Sequence, residues 1–203
     1  MKDEGYIKFK VHWKEDALPE IEGLHPLFEW RACMHQHGLI GVYPDGIGFG
    51  NISIRVQADR FVISGSATGD LPQLGPEQLS LVERVDVERN EVFCRGPIVA
   101  SSESMTHAMV YRALPWVKAV IHIHHRQMWD HWMYRLPITP PEVSYGSPEM
   151  ARSVLQLLSR IPDQRPGLIV MGGHEEGLIA YGGDHEEAGR CVLNHLAALA
   201  GSK

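Results

Sequence analysis

A chain of 203 residues, 44% hydrophobic and 22% charged, has the size and make-up of one globular domain that can bury a proper core. A net charge of -6 argues against a general nucleic-acid binder, which needs a basic field to collect phosphates, but leaves room for a small anionic substrate met by local donors. Cys33, Cys94 and Cys191 are odd in number and scattered, which gives no disulfide framework and suits a reducing cytoplasm. No apolar run is long enough to span a membrane, and Met1-Lys2-Asp3-Glu4-Gly5 lacks the apolar core of a signal peptide.

No internal repeat or low-complexity linker divides the chain, so residues 1–203 read as a single domain. Pro26 to about His37 reads as a helix, with Pro26 in its first turn and Gly38 as its stop. Gly46-Ile47-Gly48-Phe49-Gly50-Asn51 reads as a glycine-dense loop whose backbone can approach a ligand closely. It feeds a strand, Ile52 to Val56, and a hairpin return, Arg60 to Ser64. The polar loop Ser64-Gly65-Ser66-Ala67-Thr68-Gly69-Asp70 then leads to two strands, Leu79 to Val87 and Glu91 to Cys94, joined around Arg89-Asn90. Ser101-Ser102-Glu103 opens a helix to about Leu114, ended by Pro115.

A β-branched run, Ala119-Val120-Ile121-His122-Ile123-His124-His125, follows as a strand. Ser147-Pro148-Glu149 starts a helix to about Arg160. Leu168 to Met171 and Leu178 to Tyr181 are short apolar strands flanking Gly172-Gly173-His174-Glu175-Glu176-Gly177, and Asp184 can cap a last helix to about Ala200. Helices and strands interleave while several strands sit in hairpins. The expected fold is therefore α/β, a mixed and mostly antiparallel central sheet covered by helices.

Three polar features could carry chemistry. Side chains alternate along a strand, so His122 and His124 share one face and His125 takes the other. Two imidazoles so placed can grip one metal ion, and catalytic sites commonly use three protein ligands with one position left open. The plain alternative is a strand end in a chain that carries twelve histidines. Ser101-Ser102-Glu103 offers hydroxyls and free amides to an anion, with Glu103 as a metal ligand or base, yet an ordinary helix begins the same way. His174 could complete a three-histidine set or be a satisfied turn residue.

In combination and in this order, these motifs resemble the class II aldolase/adducin family. The family's Gly-Asn-x-Ser stands here as Gly50-Asn51-Ile52-Ser53, its Ser-Ser-Glu as Ser101-Ser102-Glu103, and Leu114-Pro115-x-Val117 precedes the His-x-His strand. The resemblance runs from about residue 24 to 200. It implies His122, His124 and His174 as ligands of zinc or another divalent transition metal, with Glu103 as the acid/base. It implies Asn51, Ser101 and Ser102, with Ser66 or Thr68, as the cradle of a phosphate. The implied activity is an aldolase-type lyase acting on a small hydroxylated carbonyl compound, phosphorylated or not, through a zinc-stabilised enediolate.

The alternatives on the same frame are an epimerase, a dehydratase or a decarboxylase, and beyond enzymes an adducin-like interaction module. Epimerases of the family often carry Asp where Glu103 stands, which tilts the reading towards an aldolase. The implied assembly is a fourfold homotetramer, with neither nucleic acid nor membrane as partner. Two departures stand out. The family's His-Gly is here His174-Glu175-Glu176-Gly177, whose added acids read as solvent-facing by default. The segment His125 to Gly146 is short, so the family's catalytic tyrosine has only Tyr134 and Tyr145 as candidates, and Arg126 reads as a surface ion-pair residue, with an acidic substrate group as the alternative partner.

Overall fold

Residues 6–161 and 165–200 are described by the computed structural model; Met1 to Gly5, read above for the lack of a leader, lie outside the described residues. The first half runs β1 (Lys10–Glu15), α1 (His25–Gln36), β2 (Gly41–Val42), β3 (Gly48–Phe49), β4 (Asn51–Gln57), β5 (Arg60–Ser64), β6 (Leu79–Asp86) and β7 (Glu91–Gly96). The second runs α2 (Ser104–Ala113), β8 (Ala119–His124), α3 (Arg126–Trp132), α4 (Pro148–Leu158), β9 (Gly167–Val170), β10 (Gly177–Gly182) and α5 (His185–Ala200). Eight strands form one sheet in the order β1-β7-β6-β5-β4-β8-β10-β9. Among the strand pairs of the described residues, only β1–β7 at one edge is parallel, so the sheet is mixed and mostly antiparallel, as the hairpins imply.

Alternation along the strands sorts the apolar side chains into two layers. On one side Ala119, Ile121 and Ile123 of β8 join Ile52 of β4 and pack with Leu27 and Met34 of α1 and Ala188 and Val192 of α5. On the other side Val120 joins Met105 and Met109 of α2 and Met150 and Val154 of α4. Ile121 and Ile123 are fully buried, which contributes roughly 1.5–3 kcal/mol each. Register is strongly specified where faces differ this much, and the period of two then puts His122 and His124 on the α2/α4 side with Val120. No helix among the described residues is long and apolar enough to cross a membrane. The three cysteines are free.

Two helix boundaries follow their signals. Gly38 adopts φ +67 just beyond α1, and Ser147 caps α4 by accepting the Met150 amide at 3.1 Å. Four elements, β1, β2, β3 and α3, go beyond the sequence reading. β1 is a strand where none is expected, and α3 follows β8 directly. The glycine-dense stretch is not wholly a loop, because β3 pairs with β2 in a two-residue ladder. Tyr43 closes that ladder: its amide donates to Ile47 and its carbonyl accepts from Gly46, each at 2.8 Å.

Candidate active site

Three sheet strands and one turn converge on the buried histidines. In register, β4 sets Asn51 opposite His122, and β10 sets Gly177 opposite His124. A side chain at Gly177 would crowd the His174 ring, since a Cβ there would sit 3.1 Å from it. His122, His124 and His174 are 1%, 3% and 2% exposed, and one ring nitrogen from each lies within 4.8 Å of the others. His122 Nδ1 donates to the Leu178 carbonyl at 3.0 Å, which leaves Nε2 as a lone pair facing His124 Nε2 3.0 Å away. Burial, reinforced by His174 and His107, holds His122 well below the usual histidine range. A neutral imidazole lone pair aimed at two further rings in a water-poor place is the donor set of a divalent transition metal. The residues therefore fit such an ion.

Glu103 is the residue that enters α2, and it is 2% exposed. Its amide donates to Ser101 Oγ at 3.3 Å, and Ser104 Oγ donates to the Ser101 carbonyl at 2.6 Å, so the turn ahead of the helix is pinned. The carboxylate is thereby aimed at the imidazoles, with Oε1 3.9 Å from His174 Nδ1. A polar cavity beside the cluster is lined by Asn51, Ser66, Thr68, Ser101, Ser102, Glu103 and His122, with Gly48, Gly50, Gly65 and Gly69 between them. The implied metal ligands, acid/base and phosphate-cradle residues thus all lie in the cavity wall or the histidine cluster. Gly50 permits this closeness: at φ +74, a Cβ there would sit 2.8 Å from Ile40 and 3.0 Å from the His122 carbonyl. Asn51 Oδ1 is buried with no hydrogen-bond partner among the described residues. Thr68 Oγ1 donates to the Gly65 carbonyl at 2.9 Å, while Ser66 is only half-buried.

One residue bonded to the cavity wall, Arg31, was not read from the sequence. Arg31 of α1, 1% exposed, donates from Nη2 to the Thr68 and Gly69 carbonyls at 2.8 and 3.3 Å. Of the two candidate tyrosines, Tyr134 is 79% exposed, whereas Tyr145 is buried and stacks on His174 at 4.7 Å. Arg126 is the surface ion-pair residue expected, bound to Asp130 at 2.8 Å and to Glu175. Glu175 is exposed in keeping with the default reading, but Glu176 departs from it. Its carboxylate turns inward to accept the Tyr43 hydroxyl at 2.6 Å, from a left-handed backbone at φ +70.

Fold and site together define an α/β protein whose mixed sheet carries a buried three-histidine cluster beside a hydroxyl-lined cavity. The family model of the class II aldolase and adducin N-terminal domain matches residues 33–196, and the chain belongs to that family. No curated protein matches the sequence. Among solved structures, L-fuculose-1-phosphate aldolase from Thermus thermophilus superposes with a TM-score of 0.58 at 21% identity, over 88% of this chain and 95% of that one. A sugar-phosphate aldolase from Thermotoga maritima gives 0.63 at 15% identity, over 86% and 90%. YgbL of Klebsiella pneumoniae, whose activity is left open among aldolase, epimerase and decarboxylase, gives 0.60 at 17%, over 85% and 84%. At these identities the likeness is one of fold.

Proposed function

We propose that this protein is a zinc-dependent lyase of the aldolase type, making or breaking a carbon–carbon bond next to a carbonyl in a small hydroxylated substrate. His122, His124 and His174 would hold the ion, which when bound supplies a Lewis acid to a substrate carbonyl. The observation that carries the reading is Glu103: a carboxylate 2% exposed, 3.9 Å from His174 Nδ1 and in the wall of the cavity. A carboxylate so sheltered is placed to take a proton from substrate and return it, while water is kept from competing. Asn51, Ser66, Ser101 and Ser102 offer donors to an anionic group such as a phosphate. Ser66 is preferred to Thr68 here, since the Thr68 hydroxyl proton is directed at Gly65. Tyr145, stacked on His174, fixes that ring's tilt. The family's fourfold homotetramer and a reducing, cytoplasmic setting for the three free cysteines belong to the same proposal.

The test combines metal content with turnover. Purified protein is expected to hold about one zinc-like ion per chain, and His122→Ala with His124→Ala to abolish it. The zinc-loaded protein is then screened against sugar phosphates, aldonates and simple hydroxy-aldehydes, with products identified by mass. Cleavage products identify a lyase, whereas an isomer, a dehydrated product or carbon dioxide identifies another reaction. Glu103→Gln is expected to keep the ion and lose roughly 100-fold or more in kcat. Full turnover in that variant would remove Glu103 from proton transfer.

A further inference from the structure

The His124 ring has a second partner at the edge opposite its cluster-facing nitrogen. The Tyr43 hydroxyl lies 2.9 Å from His124 Nδ1 and donates to Glu176 Oε2 at 2.6 Å. A phenol carries one proton. With that proton given to the carboxylate, the oxygen meets the imidazole with a lone pair, so Nδ1 must be the protonated nitrogen. Nε2 is then the lone pair, turned to His122 Nε2 at 3.0 Å. The Leu178 carbonyl holds His122 in the same tautomer, so two different devices present two nitrogens alike.

We propose that Tyr43 and Glu176 are positioning residues for the metal centre: they fix the tautomer and orientation of His124 and so raise the cluster's affinity for a divalent ion. The inference rests on the metal-centre reading above and adds to it the reason for the acid at position 176. A carboxylate–tyrosine–histidine chain also makes the ligating nitrogen a better donor. The surrounding structure is built for this contact. A two-residue ladder is too short to stand by itself, yet the turn that joins β2 to β3 holds Tyr43 by two backbone bonds, to Gly46 and Ile47, and its ring packs against Phe49 of β3 at 4.5 Å. Phe49 in turn lies 5.5 Å from the His124 ring. On the other side Glu176 sits at φ +70, a conformation unfavourable for a residue with a side chain, and its carbonyl accepts the His125 amide at 2.9 Å. The stretch read as a ligand loop is thus, in part, a bracket for one tyrosine.

Two measurements on the full chain test the relay. The first is zinc affinity, by competition with a chromophoric chelator. The second is the His124 tautomer in metal-free protein, by long-range 1H–15N NMR of the imidazoles. Tyr43→Phe keeps the ring on Phe49; it is expected to weaken zinc binding roughly 10- to 100-fold and to turn a single Nδ1–H tautomer into a mixture. Glu176→Gln leaves the phenol an acceptor oxygen and is expected to lose less than Glu176→Ala. Tyr43→Phe added to Glu176→Ala is expected to lose nothing further, because the two act as one chain. A role in stability alone would lower the melting temperature and leave the tautomer in place. An unchanged tautomer in Tyr43→Phe, or a zinc affinity within about twofold of the unaltered protein, overturns the inference. If the unaltered protein binds no zinc, the metal-centre reading fails separately, and the tautomer still decides whether the relay exists.

Discussion

His125 lies one residue past the His122/His124 pair, and strand alternation turns it away from them. Its Nδ1 accepts the Met128 amide at 3.1 Å, which makes it the N-cap of α3. Side-chain caps are worth about 1 kcal/mol. His125→Ala is therefore expected to lower the unfolding free energy by about 1 kcal/mol in a denaturant titration and to leave metal content unchanged. Loss of the ion in this variant would put His125 in the cluster. Which histidines share a face is legible from the two-residue period. That His125 caps a helix is not, because histidine lies outside the Ser, Thr, Asp and Asn set that marks helix starts. Asn51 opposite His122 is equally hidden, since that register depends on β4 pairing with β8 across a long stretch of chain. The roles of Glu103 and His174 come into view only through the order of the motifs, as neither residue's own neighbours distinguish it from a helix start or a turn.

α1 reaches the cavity through Arg31, whose guanidinium donates to the Thr68 and Gly69 carbonyls. Burial pulls that guanidinium down to about 10, against the opposing pull of Asp70. The polar loop before β6 is thus tied to a helix on the far side of the sequence. Arg31→Met leaves two sheltered carbonyls without their donor and is expected to destabilise the fold by about 1–3 kcal/mol. On any anionic substrate found, KM is expected to rise more than kcat falls, because the loop and not the proton-moving Glu103 is released. Unchanged KM and stability would mean that the loop holds its shape by itself. The helix and its Gly38 stop are readable in advance, but an arginine in a helix's buried stripe is not, since arginine is usually solvated. β1 had a usable signal, because Phe9, Val11 and Trp13 alternate with Lys8, Lys10, His12 and Lys14. As an edge strand with its residues mostly half-buried or exposed, it lacks the strong apolar run that marks β8.

At the scale of the molecule, hairpins and interleaved helices predict a mixed sheet, whereas the strand order waits on pairings such as β1–β7 that no local pattern encodes. One consequence of that order is that both helical layers lean on a single residue of β4. His107 of α2 sits 2.7 Å from Ser53 Oγ, and His185 at the start of α5 donates to the Ser53 carbonyl at 3.1 Å. Burial drives His107 down to about 3 and His185 down to about 4. An unfolded histidine takes up its proton near pH 6.5. The unfolded chain therefore binds more protons than the fold between about pH 6.5 and the depressed values, and stability falls as pH falls through that window. Above pH 6.5 the contribution is complete. The steepest loss is ~1.4 kcal/mol per pH unit for each histidine, which is large against the usual 5–15 kcal/mol of a domain. Denaturant unfolding of zinc-free protein between pH 7 and 4 is expected to show this decline. His107→Asn keeps an amide near the Nδ1 position for Ser53 and carries no titrating group. It is expected to flatten the decline by up to ~1.4 kcal/mol per pH unit, while His185 and His122, also held down by burial, keep their share. An acid limb with the same slope in His107→Asn would show that His107 is not buried neutral, and that the link between the two helical layers at Ser53 is not a proton-sensitive one.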